Sequence, residues 1–355
     1  MHRILSTKPF ESSLNLKVGV AYVADDCLIG PLMSHVKGVQ STHLNYALPR
    51  SDDPKSILIV RHGGFGDLLF LTPALSALRK KFPQAKIYVA AFPNFLPVLD
   101  HNHDIDRLVP CPIEELELLS YDSVFWLENA IEDNPASKDR HAVDIMADAL
   151  GVTVNEDERE MQYFLQEGEQ RDALRLFPKL AGRKRIGFQC EASAVIRNYP
   201  RHLWAEVAKK LTSLGHEVFL FGTPGTITEN PNDKISWVKN LTALEPALSF
   251  RESCAILSTC DVFAGVDSVL IHVAGALKIP SVGLYGPFPW QLRTAYAKSV
   301  RAISGIGACA GCQHHTYGQF HQFPENGPCR QTGECEVMKS IPTARIANKI
   351  MELLG

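Results

Sequence analysis

The sequence lacks the features by which membrane proteins and secreted proteins are recognised. No apolar run reaches the length of a membrane span, and the N-terminus has no hydrophobic signal-peptide segment. A net charge of -3 over 355 residues gives no excess of positive charge for general nucleic-acid binding. With 45% hydrophobic and 21% charged residues, the composition is that of an ordinary globular protein. These features predict a cytoplasmic protein that does not bind nucleic acid.

A disulfide framework and a dinucleotide-binding fingerprint are also missing. The nine cysteines of a chain predicted to be intracellular indicate reduced thiols or a metal site. The first glycine-rich loop does not have the G-x-G-x-x-G spacing of dinucleotide-binding folds. At 355 residues, the chain is long enough for two or three domains with sizeable cores.

The most informative stretch runs from Ser56 to Phe82. An unbroken apolar run predicts a buried strand of a parallel sheet over Ile57–Val60, and apolar residues at helical spacing predict a helix from Leu68 onward. The loop between them reads R-H-G-G-F-G-D. Its glycines, among them Gly64 and Gly66, allow a ligand to approach the backbone closely.

An acidic residue, Asp67, ends this loop. A carboxylate at the mouth of a glycine-rich loop is unsuited to holding a phosphate, and it is a candidate catalytic base. The alternative is structural, because an aspartate at the start of a helix is commonly an N-cap. The loop alone leaves both interpretations open.

Strands and helices alternate along most of the chain, which predicts an α/β fold with doubly wound parallel sheets. The polar interval Val152–Gly168 is interpreted as a linker between two alternating units. Before the first unit, strands are predicted at Leu16–Val23 and His35–Val39. The predicted division is, in order, a small β-rich appendage (1–54), a first unit (55–165), a second unit (166–340) and a terminal helix (341–355).

The second unit contains another informative junction, G-V-D-S-V-L-I-H-V-A-G-A-L-K-I-P. Asp267 and Ser268 end a predicted strand and open a predicted helix, with His272 near its first turn. Hydroxyl, imidazole and backbone N–H groups at a helix N-terminus are suited to binding a diphosphate. Arg197 precedes another predicted helix, where its guanidinium could bind a phosphate with two hydrogen bonds. The structural alternatives are a helix cap, a half-buried histidine and a surface arginine.

Three motifs lie in order between Ser56 and Pro287. They are R-H-G-G-F-G-D-L-L-F-L-T-P-A-L-S-A-L-R-K-K-F-P, R-N-Y-P-R-H-L-W and G-V-D-S-V-L-I-H-V-A-G-A-L-K-I-P-S-V-G-L-Y-G-P. Together they resemble the ADP-heptose:lipopolysaccharide heptosyltransferase family. The resemblance implies a GT-B fold, with two Rossmann-like domains and a cleft between them, and an inverting glycosyl transfer without a catalytic metal. It implies that Asp67 is the catalytic base and that the donor is bound by Arg197, Asp267, Ser268, His272, Gly64 and Gly66.

One part of the third motif departs from the family pattern. The family commonly has D-[S/T]-G-P-x-H, whereas Val269 and Leu270 stand here in place of the glycine and the proline. A valine hinders close approach to the backbone. This departure leaves open whether the donor binds differently or is a nucleotide sugar other than ADP-heptose.

The C-terminal region contains a group of cysteines. Cys309 and Cys312 form a C-A-G-C motif, and Cys329 and Cys335 follow. Four thiols with one C-x-x-C pair favour a structural tetrahedral site for zinc or iron, the alternative being reduced cysteines in a loop. The segment resembles the cysteine motif of bacterial autotransporter heptosyltransferases, which modify proteins and assemble as oligomers. That resemblance implies a homo-oligomer.

The sequence therefore predicts a glycosyltransferase that moves a heptose-type sugar from a nucleotide-sugar donor, with ADP-heptose as the first candidate. The predicted acceptor is a hydroxyl of a protein or of a lipopolysaccharide-type glycan, and peripheral contact with a membrane is compatible with it. The alternative is a non-catalytic protein that binds nucleotide sugars or acts as a scaffold on the same fold. The acceptor, the sugar and base of the donor, the metal and the oligomeric state stay open at this point.

Overall fold

The computed structural model describes residues 1–6, 16–24, 39–44, 46–222, 241–244, 248–313, 329 and 333–355. The chain divides into two compact units, of which the first comprises 1–134 and 143–155 and the second comprises 135–142 and 156–355. The last change of unit, between Asn155 and Glu156, falls inside the polar interval predicted to separate two units. The predicted α/β class with parallel sheets is confirmed in both units.

The first unit is built around a parallel sheet. In chain order its strands are β1 (His2–Ser6), β2 (Ala21–Ala24), β3 (Val39–His43), β4 (Ser56–Val60), β5 (Lys86–Ala91), β6 (Arg107–Pro110), β7 (Ile113–Glu114) and β8 (Ser123–Trp126). Its helices are α1 (Phe65–Lys81), α2 (Glu115–Leu119) and α3 (Ala142–Leu150). The parallel sheet has the order β6-β5-β4-β8. Successive residues of the central strand β4 are buried from Ile57 to Val60, so both faces of the strand are covered, as predicted.

The N-terminal segment is β-rich, as predicted, but its strands have other limits. It forms an antiparallel sheet in the order β3-β1-β2-β7. The sequence did not predict β1, and β2 is confined to Ala21–Ala24. Residues 35–38 of the second predicted strand lie outside the described residues. Val23 of β2 packs in one cluster with Leu58 and Val60 of β4, so the segment shares the core of the first unit.

The second unit contains a larger parallel sheet in the order β11-β10-β9-β12-β13-β14. Its strands are β9 (Arg185–Gln189), β10 (Glu217–Phe221), β11 (Leu241–Leu244), β12 (Val262–Val266), β13 (Ser281–Tyr285) and β14 (Val300–Ser304). Its helices are α4 (Glu167–Leu176), α5 (Arg201–Ser213), α6 (Phe250–Leu257), α7 (Val269–Ala276), α8 (Glu336–Lys339) and α9 (Thr343–Leu354).

The terminal helix α9 packs within the second unit, against α5 and the strands β12 and β13. Its buried residues Ile346 and Ile350 join Trp204 of α5 in one hydrophobic cluster. Within the described part of the chain, no helix is long and apolar enough to cross a membrane.

Candidate active site

The first predicted junction is the loop that follows β4. Gly64 has a left-handed φ of 84° and precedes α1, which begins at Phe65 rather than at Leu68. Asp67 is therefore the third residue of the helix, and Gly64 is the residue at the N-cap position. The interpretation of Asp67 as an N-cap is wrong. Its carboxylate lies in the first turn, where the helix dipole favours negative charge.

Asp67 forms an ion pair with a buried arginine. Arg61 Nη2 lies 3.0 Å from Asp67 Oδ2. The Arg61 side chain is 2% exposed, whereas the Asp67 side chain is 27% exposed. The carboxylate is therefore held from the interior and remains accessible to a substrate.

Arg61 is itself fixed by several acceptors. Its two Nη atoms donate to both oxygens of Glu132, at 2.7 and 3.1 Å. Nη1 also donates to the Leu127 carbonyl at 3.1 Å, and Nε donates to the Gly63 carbonyl at 3.3 Å. Burial by itself lowers the pKa of Arg61, but the neighbouring carboxylates, Asp67 foremost, raise it above its ordinary value. The guanidinium is thus a fixed positive charge beneath Asp67.

A side chain at either of two glycines of the loop would displace a neighbouring side chain. A Cβ atom at Gly64 would lie 1.9 Å from Asp67 Oδ2, and one at Gly63 would lie 2.6 Å from the ring of Phe95. Gly66 is the second residue of α1. The absence of a side chain at Gly64 leaves space for the Asp67 carboxylate. A donor-binding role for Gly64 and Gly66 stays a prediction.

The second predicted junction joins β12 to α7. Asp267 follows the last residue of β12, Ser268 is at the N-cap position, and His272 is the fourth residue of α7. Asp267 is 3% exposed and His272 is 4% exposed. Val269 begins the helix, and Leu270 is buried.

Asp267 lies between two basic side chains. Arg197 Nη1 is 3.7 Å from Asp267 Oδ2, and His272 Nε2 is 3.5 Å from Asp267 Oδ1. Arg197 also donates to Ser193 Oγ at 3.0 Å, so it is not an isolated surface arginine. Burial by itself raises the pKa of Asp267, but His272, Arg197 and Arg293 hold it below its usual range. Asp267 is therefore a buried, charged carboxylate that keeps basic groups close to the start of α7.

Two residues that the sequence did not single out belong to the same cluster, namely Arg293 and His141. The ring of His141 lies 4.1 Å from the ring of Tyr296. Burial is the main cause that lowers the pKa of His141 to about 3, and the neighbouring His272 and Arg293 lower it further. At neutral pH, His141 is therefore a neutral imidazole among cationic side chains.

These omissions have different causes. Arg293 closes the short 3-10 turn Trp290–Leu292, which follows β13. It therefore stands after the strand next to β12, a position that the alternation of strands and helices could have indicated. His141 lies in the segment 135–142, which belongs to the second unit although the residues before and after it belong to the first. No local pattern in the sequence predicts that this short segment belongs to the other unit.

The four cysteines predicted to bind a metal ion are Cys309, Cys312, Cys329 and Cys335, and all are free thiols. Burial raises the pKa of Cys335, and the nearby Cys312 and Cys329 raise it further. Three of the sulfurs are thus close enough to interact electrostatically. Among the described residues, no group of three or more His, Cys, Asp or Glu is arranged to hold a metal ion. All four cysteines belong to the described residues, so they do not form such a group there. Residues 314–328 and 330–332 of this segment lie outside the described set.

Comparison with known proteins gives a family match. The model of glycosyltransferase family 9 (heptosyltransferase) matches residues 123–319, which are more than half of the chain. The matched residues include Arg197, Asp267 and His272 but not Asp67. Lipopolysaccharide heptosyltransferase 2 of Escherichia coli K12 is 29% identical over 135 residues, which are 36% of this chain and 38% of that relative. The match therefore spans less than half the length of that protein.

Two solved structures share the fold. The E. coli ADP-heptose lps heptosyltransferase II is 19% identical, with 84% of this chain and 98% of that chain covered and a TM-score of 0.64. The bacterial iron-containing dodecameric glycosyltransferase TibC, from enterotoxigenic E. coli H10407, is 15% identical, with 99% of this chain and 90% of that chain covered and a TM-score of 0.62. At these identities the likeness shows the fold alone, and it confirms the predicted GT-B class.

Proposed function

The chain belongs to glycosyltransferase family 9, the heptosyltransferases, and on that basis we propose that it transfers a heptose from ADP-heptose to an acceptor hydroxyl with inversion at the anomeric carbon. The observation that carries the proposal is the buried cluster at the start of α7. There Asp267, Arg197 and His272 lie together within the residues that match the family. We choose ADP-heptose as the donor because it appears in the name of the E. coli heptosyltransferase II, whose structure has the same fold.

The chemistry of this cluster suits a diphosphate. Arg197 and Arg293 supply fixed positive charge, and the N-terminus of α7 adds backbone N–H groups that carry no intrahelical bond. The Ser268 side chain makes no capping hydrogen bond to α7, so its hydroxyl is available to a ligand. Asp267, placed between Arg197 and His272, would orient these two groups rather than touch a phosphate.

The proposed reaction needs a base and a stabilised leaving group. The acceptor oxygen forms a bond to the anomeric carbon while its proton moves to the Asp67 carboxylate. The bond from that carbon to the diphosphate oxygen breaks, and ADP leaves with the bonding electrons. Negative charge grows on the diphosphate in the transition state, so fixed positive groups such as Arg197 stabilise the transition state more than the ground state. Displacement from the opposite face inverts the configuration.

A transfer assay tests the reaction and the acceptor together. Purified protein is incubated with ADP-heptose and either a lipopolysaccharide-type core glycan or a candidate protein acceptor. We measure ADP release and the mass of the acceptor. A gain of one heptose on either acceptor supports the proposal. The replacement of a glycine by Val269 is the reason to keep a non-catalytic binding protein as the alternative. ADP binding without transfer or hydrolysis in any arm would support that alternative.

Calorimetry with ADP tests the diphosphate contact. Arg197→Ala should weaken ADP binding and lower turnover. ADP and the sugar donor contain the same diphosphate group, and the substitution removes a contact to that group in both. Arg301→Ala is the control, since Arg301 is an exposed arginine of the same unit that donates to the Lys298 carbonyl. Unchanged ADP affinity in Arg197→Ala would remove this residue from the donor site.

We further propose that Cys309, Cys312, Cys329 and Cys335 bind one structural zinc or iron ion. Thiolates suit either metal, and four of them leave no open position for catalysis. The fold shared with the iron-containing TibC supports the proposal. Elemental analysis of purified protein tests it. A folded, active preparation without zinc or iron would overturn it, and activity lost in EDTA but restored by Mg²⁺ alone would contradict the metal-independent transfer.

A further inference from the structure

We propose that Arg61 is a positioning residue for catalysis, which holds the Asp67 carboxylate in place and is itself anchored by Glu132. This inference rests on the proposed function, because it takes Asp67 as the base of the transfer. Arg61 is the first residue of the motif R-H-G-G-F-G-D, but the sequence analysis assigned no role in the reaction to Arg61 or to Glu132.

The first argument is that the guanidinium has no freedom to move. Its acceptors come from three places in the chain, namely the loop after β4, the carbonyl that follows β8, and the side chain of Glu132. The planar fork of an arginine fits the two oxygens of a carboxylate, so Glu132 fixes the plane as well as the position of the group. A side chain held in this way can fix the position of a group that it contacts, here the Asp67 carboxylate.

The second argument concerns the carboxylate of Asp67. Arg61 Nη2 lies 3.0 Å from Oδ2, and a Cβ at Gly64 would come within 1.9 Å of the same oxygen. Oδ2 is therefore confined between the guanidinium and the backbone of Gly64. The side chain is still 27% exposed, so an acceptor hydroxyl can reach the carboxylate. Holding one oxygen in place while the group stays accessible is what a general base requires, because proton transfer depends on hydrogen-bond geometry.

Lysine cannot replace Arg61 in this arrangement. A lysine ammonium is a compact charge on a flexible stem, and it cannot bond both oxygens of Glu132 and also lie against Asp67 with fixed geometry. Arg61→Lys therefore keeps the positive charge and loses the orientation. Glu132→Gln keeps the shape and weakens the anchor, and it leaves Arg61 and Asp67 unchanged.

The experiment compares these two variants with a matched control. Arg79→Lys is the control, because Arg79 lies in the same unit, donates through its Nη atoms to the carbonyls of Ala85 and Asp104, and pairs with Asp106. We expect Arg61→Lys and Glu132→Gln to lower kcat by roughly 10–100-fold, the order of loss expected when a reacting group is misplaced by about 1 Å. Donor KM and ADP affinity should not change, and Arg79→Lys should retain the wild-type kcat.

A double-mutant cycle separates positioning from general destabilisation. If Arg61 acts only through Asp67, Arg61→Lys causes no further loss of kcat when Asp67 is already asparagine. The positioning role of Arg61 would be overturned by a wild-type kcat in Arg61→Lys or Glu132→Gln. It would also be overturned if the losses of kcat multiplied in the double variant. Neither result would affect the assignment of Asp67 as the base. Normal turnover in Asp67→Asn would overturn the base assignment as well. If Arg61→Lys does not fold, Glu132→Gln still decides the question, since it keeps every buried positive charge.

Discussion

At the scale of single residues, the carboxylate of Asp67 is the group on which the proposed chemistry depends. Asp67→Asn keeps the size of the side chain and removes its ability to accept a proton. We expect kcat to fall by about 10²–10⁴-fold, the usual contribution of a positioned base. ADP affinity should stay at the wild-type value, because the proposed diphosphate contacts involve other residues. Steady-state kinetics and calorimetry on the same preparation check both, and near-normal turnover would exclude Asp67 as the base.

His141 gives a pH prediction with a definite sign. Its pKa falls from 6.5 to about 3 on folding, so between these values the unfolded chain binds a proton that the folded chain does not. The free energy of unfolding should therefore fall as pH falls through this window, by up to about 1.4 kcal/mol per pH unit. His141→Gln should remove this part of the pH dependence.

Urea unfolding at pH 7 and pH 5 measures the effect. His202→Gln is the control, because His202 is an exposed histidine of α5. An equal pH dependence in wild type and His141→Gln would show that His141 is not held neutral by the fold.

At the scale of elements, the junction between β4 and α1 depends on the absence of a side chain at Gly64. In Gly64→Ala, the left-handed φ of 84° costs about 1–2 kcal/mol, and the new Cβ also displaces the Asp67 carboxylate. We expect lower stability together with lower kcat. Melting temperature and turnover measure the two effects separately.

Gly151→Ala provides a control for the backbone effect alone. Gly151 has a φ of 64°, and a Cβ atom added there would meet nothing within 4 Å beyond its chain neighbours. This variant should lose a comparable amount of stability and keep its turnover. Equal kcat in the two variants would mean that Gly64 serves the backbone only.

Features that depend on local pattern were predictable from the sequence, and features that depend on distant pairing were not. The apolar run of β4, the helical spacing of α1 and the junction at Asp267 are each written in consecutive residues, and the structure contains all three. The bond between Arg61 and Glu132 joins residues 71 positions apart, and β1 is defined by its pairing with β2 and β3. Neither has a local signature, although an arginine directly after a buried strand indicates a need for an acidic partner.

At the scale of the whole molecule, the proposed metal site of the cysteine segment gives a prediction about stability and assembly. Cys312→Ser should lower metal content and melting temperature, because the segment would lose the ion that orders it. If the segment also joins subunits, the variant should dissociate, as measured by light scattering after gel filtration. Cys190→Ser is the control, since Cys190 is a buried cysteine outside the proposed site. Unchanged metal content in Cys312→Ser would exclude this cysteine as a ligand.

The two units are not consecutive in the chain, since 135–142 belongs to the second unit although residues of the first precede and follow it. During synthesis, His141 therefore emerges before α3 is complete and long before its ring partner Tyr296 exists. When residues 1–155 have been synthesised, the first unit is complete in sequence, and residues 135–142 are present without the rest of the second unit. No single cleavage of the polypeptide separates the two units cleanly, and a gene fragment that ends at residue 155 would carry His141 without the rings and charges that keep it neutral.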